Sequence, residues 1–237
     1  MEAILLAGGK GERLGEAARG APKPLVRVAG RPLVAYQVAR LAEAGVERVI
    51  VSCAAGAEEL FESELQGLGA DVVAVGESEP LGRGGGLRLA AGARVETGPI
   101  YAGNGDEILD VDLPALLDFH REREVAATVV VAPMPSAFGV VELDDGDRVL
   151  GFREAPRLPH WVNAGLYVLD EEAIDRLPER GDHERTTFPE LASAGRLAGF
   201  RHEGLWLTVN TPKELRVAEE YVRAHPGLAP SRLEALP

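Results

Sequence analysis

Cysteine is nearly absent. The chain has one, Cys53, which excludes an internal disulfide and suits a reducing compartment. A small buried hydrophobe on a strand accounts for it. Lysine is almost as scarce: of 25 Lys and Arg only three are Lys, and Lys10 and Lys23 both fall near the amino end. Asn occurs only at 104, 163 and 210, and Met only twice. This economy matches thermophile usage and makes each remaining amide worth explaining. No apolar run approaches the ~18 residues of a membrane span. The opening AILLA is too short for a secretory signal and has no basic residue before it, so a cytoplasmic protein is expected. Positive charge is in deficit as well. A net charge of −13 argues against nucleic acid or an anionic membrane as partner. A small anion held by a local basic loop stays compatible with it.

What is present reads as a globular chain of 237 residues, with a core-forming domain over 1–225 and a Pro-rich tail over 226–237. Apolar β-branched runs at 3–7, 48–53, 71–75 and 99–103 alternate with helical patterns near 33–44, 57–66 and 84–92. Near-continuous apolar strands separated by helices predict an α/β fold, a mainly parallel sheet with helices on both faces. Runs at 127–133, 138–143 and 148–152 follow closely, and Asp144-Asp145-Gly146-Asp147 supplies a hairpin turn between the last two. The second half therefore reads as mixed, with an antiparallel part. Thr211, with Pro212 and Glu214 after it, predicts a capped helix, and Asp112 reads as the N-cap of the helix at LPALLDFH.

The loop after the first strand holds Gly8, Gly9, Gly11 and Gly15 among Lys10, Arg13 and Lys23. Glycines there let backbone N–H groups approach phosphate oxygens, and a following helix N-terminus adds positive potential. It is neither common phosphate motif: Gly9-x-Gly11 is followed by Leu14 rather than Gly, and no Gly-Lys-Ser/Thr closes it. A tight turn carrying solvated cations is the plain alternative.

Leu6-Ala7-Gly8-Gly9-x-Gly11-x-Arg13-Leu14, followed by Pro22-Lys23-Pro24-Leu25, resembles the sugar-1-phosphate nucleotidyltransferases. Six further motifs keep that family's order. They are Pro80-Leu81-Gly82-x-Gly84-Gly85, Gly105-Asp106, Phe138-Gly139-Val140-Val141, Phe152-x-Glu154-x-Pro156, Asn163-Ala164-Gly165-x-Tyr167 and Trp206-x-x-x-Asn210-Thr211-Pro212. The resemblance implies a Rossmann-like, GT-A-like fold of the nucleotide-diphospho-sugar transferase kind. It also implies a reaction in which a sugar 1-phosphate attacks the α-phosphorus of a nucleoside triphosphate and pyrophosphate leaves. Mg²⁺ is the implied cofactor. The nucleophile is already an anion, so cations rather than a general base are needed.

By the same resemblance, Arg13 would meet the departing phosphates and Lys23 the α-phosphate, while Asp106 would ligate Mg²⁺. Leu6, Ala7, Gly8, Gly9, Gly11, Leu81 and Gly82 would line the nucleotide. Gly139, Glu154, Asn163 and Trp206 would face the sugar. Asp106 as a turn residue and Trp206 as core are the plain alternatives. Two positions depart from the pattern. Thr208 stands where many relatives have a metal-binding Asp, and Val209-Asn210 instead resembles the uridylyltransferases whose Asn holds the metal, so Asn210 is the proposed second ligand. Ala155 stands where relatives have a phosphate-gripping Lys, for which Arg153, Arg157 or Arg83 are candidates. Glu77 occupies the position of a base-reading Gln. A carboxylate only accepts, which fits guanine's adjacent N1–H and N2–H₂ and opposes uracil O4, so GTP is favoured and mannose 1-phosphate follows by association. A solvated Glu77 is the alternative. Rival readings are a silent nucleotide-sugar-binding homologue, a UTP or dTTP enzyme of the glucose type, and a CTP-dependent phospho-alcohol transferase. Homo-oligomers are expected, and a C-terminal β-helix with a second, acyl-transferring activity is not.

Overall fold

A computed structural model of the chain describes residues 1–9, 14, 20–226, 230 and 233. In chain order the elements are β1 (Glu2–Leu6), β2 (Arg27–Val28), β3 (Arg31–Pro32), α1 (Leu33–Glu43), β4 (Arg48–Ala54), α2 (Glu58–Leu65), β5 (Asp71–Glu77) and α3 (Gly82–Ala91). Next come β6 (Ile100–Asn104), β7 (Glu107–Leu109), α4 (Leu113–Arg123), β8 (Ala127–Pro135), β9 (Val140–Leu143), β10 (Val149–Arg153) and β11 (Arg157–Leu169). Then follow α5 (Glu171–Asp175), α6 (Thr187–Ser193), β12 (Leu197–Arg201), β13 (Trp206–Thr208) and α7 (Pro212–Ala224). The expected strands and helices of the first half are present within a few residues of the predicted bounds.

Seven strands form the main sheet in the order β12-β8-β11-β6-β1-β4-β5. β1 runs parallel to β4 and β6, and β4 to β5. Only β11 runs antiparallel to its neighbours β6 and β8. Alternate residues of the central strands serve opposite faces, as the period of two requires. Ala3 and Leu5 pack with Val49, Val51 and Tyr101 beneath α1, α2 and α4. Ile4 packs with Ile50, Ala102 and Leu87 beneath α3 and α6. Each such fully buried aliphatic side chain contributes roughly 1.5–3 kcal/mol, which is why these runs are apolar without interruption.

The antiparallel part is arranged differently from the sequence expectation. β9 and β10 form their own two-stranded sheet outside the main one. Their turn is the predicted one: Asp144 Oδ1 accepts from the N–H of Gly146 and of Arg148, both at 2.9 Å. Val141, Leu143, Val149 and Phe152 on this hairpin are exposed, so its apolar runs do not mark core strands. The antiparallel member of the main sheet is β11, whose interior Pro159 and His160 hide it from a strand reading. A second separate ribbon pairs β7 with β13, setting Glu107 opposite Thr208 and Leu109 opposite Trp206. Cys53 is buried and unpaired, and burial pushes its thiol up to about 11. Among the described residues no helix is long and apolar enough to cross a membrane.

Candidate active site

The carboxyl ends of β1, β4, β5 and β6 open onto one cleft of about 690 Å³. Open parallel sheets place ligands at that edge. Leu6, Gly8 and Gly9 line it from behind β1, Ala54 and Ala55 from behind β4, and Glu77 to Pro80 from behind β5. Asn104, Asp106 and Glu107 line it from β6 and β7, joined by Lys23, Gly82, Arg83, Asp182 and Asn210.

Three of the expected residues meet at one point. Lys23 lies in a short 3₁₀ turn (Lys23–Leu25) between Pro22 and Pro24, and its N–H donates to Gly9 O at 3.2 Å. Proline on either side restricts the backbone there. The Lys23 ammonium donates to Asp106 Oδ2 and, at 2.8 Å, to Asn210 Oδ1. Lys23 is only 8% exposed, so it is a buried cation rather than a solvated one. Asp106 is aimed by its neighbours. Gly105 N–H donates to Leu6 O at 2.8 Å, and the buried Gln37 amide of α1 donates to the carbonyls of Asn104 and Glu107. Asn210 is held by the cap of α7. Thr211 Oγ1 accepts from Glu214 N at 3.2 Å, while Glu214 Oε2 accepts from Asn210 N at 2.6 Å. The capping box that the sequence predicts thus anchors Asn210 itself. Thr208 Oγ1 is 3.5 Å from Glu214 Oε2. Arg13, Gly11 and Lys10 lie outside the described residues.

On the opposite wall Glu77 is fixed at both oxygens, accepting from Ser52 Oγ at 2.8 Å and from Leu81 N at 3.0 Å. It is therefore not the freely solvated side chain of the alternative reading. Ala7 is buried, its N–H bonded to Ser52 O at 2.7 Å. The first turn of α3 is already occupied: Gly84 and Gly85 N–H donate to Gly181 O at 2.8 and 3.2 Å, and Arg83 N–H to Asp182 Oδ1 at 3.2 Å. Those donors are committed within the chain, so α3 presents little of the open anion site that a helix N-terminus can offer. Gly82 needs its lack of a side chain: its φ is +76°, and a Cβ would come within 2.8 Å of Gly181 O.

The four sugar-facing candidates do not themselves line the cleft. Gly139 and Glu154 belong to the β9–β10 end, where a Cβ at 139 would stand 2.9 Å from Glu154 Oε2 and closer still to Phe152. Asn163 is used at both ends, donating to Tyr167 Oη at 2.9 Å and accepting from Gly165 N at 2.8 Å. Trp206 Nε1 donates to Glu107 Oε2 at 3.3 Å. Of the three arginines weighed against Ala155, Arg153 pairs with Glu142 at 2.7 Å and Arg157 with Glu203 at 3.6 Å, both outside the cleft. Only Arg83 lines it, ion-paired to Glu184 and to Asp182 at 3.8 Å. Ala155 itself takes a left-handed conformation with φ +42°.

Sequence reading missed Glu107. It opens β7 beside Asp106, lines the cleft, and accepts from Trp206 and, at 3.4 Å, from Asn104 Nδ2. Burial raises its carboxyl to about 7, and the neighbouring Asp106 charge adds to this against the opposing help of Trp206, Asn104 and Lys23. The available signal was a glutamate directly after a motif aspartate in a strand otherwise apolar.

A divalent ion can be tested against the donor set. Asp106 offers a carboxylate oxygen and Asn210 an amide oxygen, and both already converge on a single cationic nitrogen. These are hard oxygen donors of the kind Mg²⁺ takes, one or two from protein with the rest from water and phosphate. Among the described residues no group of three or more His, Cys, Asp or Glu has metal-holding geometry. The residues fit an open Mg²⁺ position completed by substrate.

Sheet order, switch-point cleft and cation–carboxylate cradle together define a GT-A-like, Rossmann-type nucleotidyltransferase fold. The chain belongs to the nucleotidyl transferase family, whose model matches residues 2–224. It is 36% identical over 244 residues to mannose-1-phosphate guanylyltransferase of Mycobacterium tuberculosis, covering 98% of this chain and 66% of that protein. It is 33% identical over 249 residues to mannose-1-phosphate guanylyltransferase catalytic subunit beta of Danio rerio, covering 100% and 69%. HddC from Yersinia pseudotuberculosis, solved with GMP-PN, superposes with a TM-score of 0.70 at 22% identity over 93% of this chain and 98% of that one. The chain spans 60–69% of the length of the curated relatives it matches.

Proposed function

We propose that the protein joins a nucleoside triphosphate, GTP by preference, to a sugar 1-phosphate of the mannose type. A sugar-phosphate oxygen forms the new bond to the α-phosphorus, the bond to the β-bridging oxygen breaks, and pyrophosphate leaves. The observation that carries this reading is the meeting of Lys23, Asp106 and Asn210 in the cleft. A buried ammonium beside two oxygen donors suits a reaction whose difficulty is bringing polyanions together. Mg²⁺, held by Asp106 and Asn210, would neutralise charge on the phosphates when bound. Lys23 holds the α-phosphate, and Arg13 takes the leaving phosphates. Arg83 is the cation within reach of the cleft that stands in for the lysine absent at Ala155.

Glu77 reads the base. Its carboxylate is oriented in advance by Ser52 and Leu81, so two acceptors face a guanine edge without reorganisation. The guanylyltransferase names of the relatives support the same choice, and mannose 1-phosphate as partner rests on them. Glu154, Gly139, Asn163 and Trp206 remain the proposed sugar wall, of which Trp206 is joined to the cleft by its bond to Glu107. The catalytic unit is taken as 1–225. Buried Cys53 fits a cytoplasmic setting. Self-association is part of the proposal, checked by mass in solution.

The test is a matrix of the common nucleoside triphosphates against sugar 1-phosphates with pyrophosphate detection. Release confined to GTP with a manno-configured sugar phosphate is expected. No release in any combination would overturn the reading in favour of a silent binding homologue.

A further inference from the structure

The cleft and the sugar-facing motifs meet at one side chain that none of the motif assignments includes. Glu107 borders the cleft beside Asn104 and Asp106. On its other side it is in contact with Trp206, whose indole N–H it accepts at 3.3 Å. Gly165, of the Asn163-Ala164-Gly165 motif, closes in from β11 with φ +72°, and a methyl group there would overlap both Glu107 Oε2 and Asn104 Nδ2. The strand is thus built to leave room for this carboxylate. Its two hydrogen bonds, at 3.3 and 3.4 Å, are long, and each oxygen keeps a lone pair. Lys23 is committed to Asp106 and Asn210, and no ion pair is formed by Glu107 among the described residues. A half-buried acceptor with such long hydrogen bonds has capacity left for further donors. A triphosphate offers none, since its oxygens are acceptors and repel a carboxylate. A polyhydroxylated ring offers several.

We propose that Glu107 is a specificity-determining residue for the sugar 1-phosphate, accepting hydrogen bonds from one or two ring hydroxyls and, with Trp206 and Gly165 behind it, forming the floor of the sugar pocket. The inference rests on the reading of a sugar 1-phosphate as second substrate. A ring bearing hydroxyls at that place supplies donors to the two carboxyl oxygens, and one lacking them leaves those oxygens unpaired. Discrimination of this sort is steep, since the site pays for its unmet acceptor.

The experiment uses the full chain and Glu107→Gln, which keeps shape and, through its single amide oxygen, one of the Trp206 and Asn104 contacts. Thermal melting establishes that the variant is folded, with Glu107→Asp as a second variant that keeps the charge. Steady-state constants are measured for GTP and for mannose 1-phosphate, then for its 2-, 3-, 4- and 6-deoxy analogues. Glu107→Gln is expected to raise the sugar-phosphate KM about tenfold or more while leaving the GTP KM within about twofold. Glu107→Asp recovers part of the loss. One or two deoxy analogues should cost the unaltered enzyme that same factor and cost Glu107→Gln little. A rise in both KM values alike, or equal penalties for every analogue in both proteins, would overturn the inference in favour of a purely structural carboxylate. Equilibrium binding of mannose 1-phosphate in the presence of a non-hydrolysable GTP analogue separates the two levels of the argument. Binding without turnover, weakened by Glu107→Gln, sinks the proposed reaction and sustains the inference. Turnover with unchanged sugar binding in Glu107→Gln does the reverse, and absence of both binding and turnover removes both.

Discussion

Lys23 Nζ donates to Asn210 Oδ1 at 2.8 Å, joining the turn at Lys23–Leu25 to the residue that precedes the cap of α7. The same nitrogen donates to Asp106. Replacing Lys23 by Met should lower turnover by at least ~100-fold, the usual cost of removing a preorganised charge donor at the reacting centre. As a buried cation it should also cost stability, about 1–3 kcal/mol, because Asp106 and Asn210 lose their donor. Added Mg²⁺ should raise the melting temperature of this variant more than that of the parent. An active Lys23→Met protein would remove the cradle from the mechanism.

Asn210→Ala should raise the Mg²⁺ concentration for half-maximal turnover by roughly tenfold, with GTP held saturating. Thr211 continues to cap α7, its Oγ1 accepting from Glu214 N–H, so the fold should be retained. An unaltered Mg²⁺ dependence would assign the second oxygen to another group.

Glu77→Gln should shift preference from GTP toward UTP. The amide keeps one acceptor for Leu81 N–H or Ser52 Oγ and presents a donor that suits uracil O4. The expected change in the GTP/UTP ratio of kcat/KM is about tenfold or more, since one mismatched hydrogen bond costs ~1–3 kcal/mol. Competition assays with both nucleotides measure it directly, and an unchanged ratio removes Glu77 as base reader.

Acid should destabilise the protein through His183. The ring is fully buried against Tyr167 and Phe188, neither nitrogen has a hydrogen-bond partner, and burial lowers its pKa from 6.5 to about 4. Glu184 stands 3.6 Å from Nδ1, too far to bond it, so desolvation decides the direction. The unfolded state then takes up the proton first. Stability is intact above pH 6.5 and declines as pH falls from there toward 4, by roughly 2–3 kcal/mol at the lower end. Urea midpoints of the parent and His183→Leu, compared at pH 7 and pH 4.5, isolate this from the carboxylates. Equal losses in both proteins would refute it.

Much of the fold was legible because its strands are uniformly apolar and its helices carry their own stop signals. Elements β1, β4 and β6 could hardly be anything else, being buried on both faces, and the half-buried edge strand β5 is apolar along most of its length. β11 was not legible, since half of it leaves the core and carries His160 and Arg157 into solvent. The exposed β9–β10 hairpin misled in the opposite sense: Val141 and Phe152 look like core and are not. The cleft residues Lys23, Asp106 and Asn210 were legible from their motifs, as was Glu77. What a linear reading cannot supply is which side chain fills the space a glycine vacates. Gly165 and Glu107 are 58 positions apart, and only the pairing of β11 with β6 sets them together. Likewise Gln37, an unremarkable residue on α1, fastens the turn that aims Asp106.

The β7–β13 ribbon carries a consequence for biosynthesis. Its strands belong to stretches of translation separated by about a hundred codons, and Asp106 and Asn210 emerge on either side of that interval. A nascent chain can lay down the central strands early, yet it must keep a half-made cradle until α7 clears the ribosome. The meeting of Lys23, Asp106 and Asn210 is therefore completed late, and a chain that stops anywhere before residue 210 carries the central strands without it.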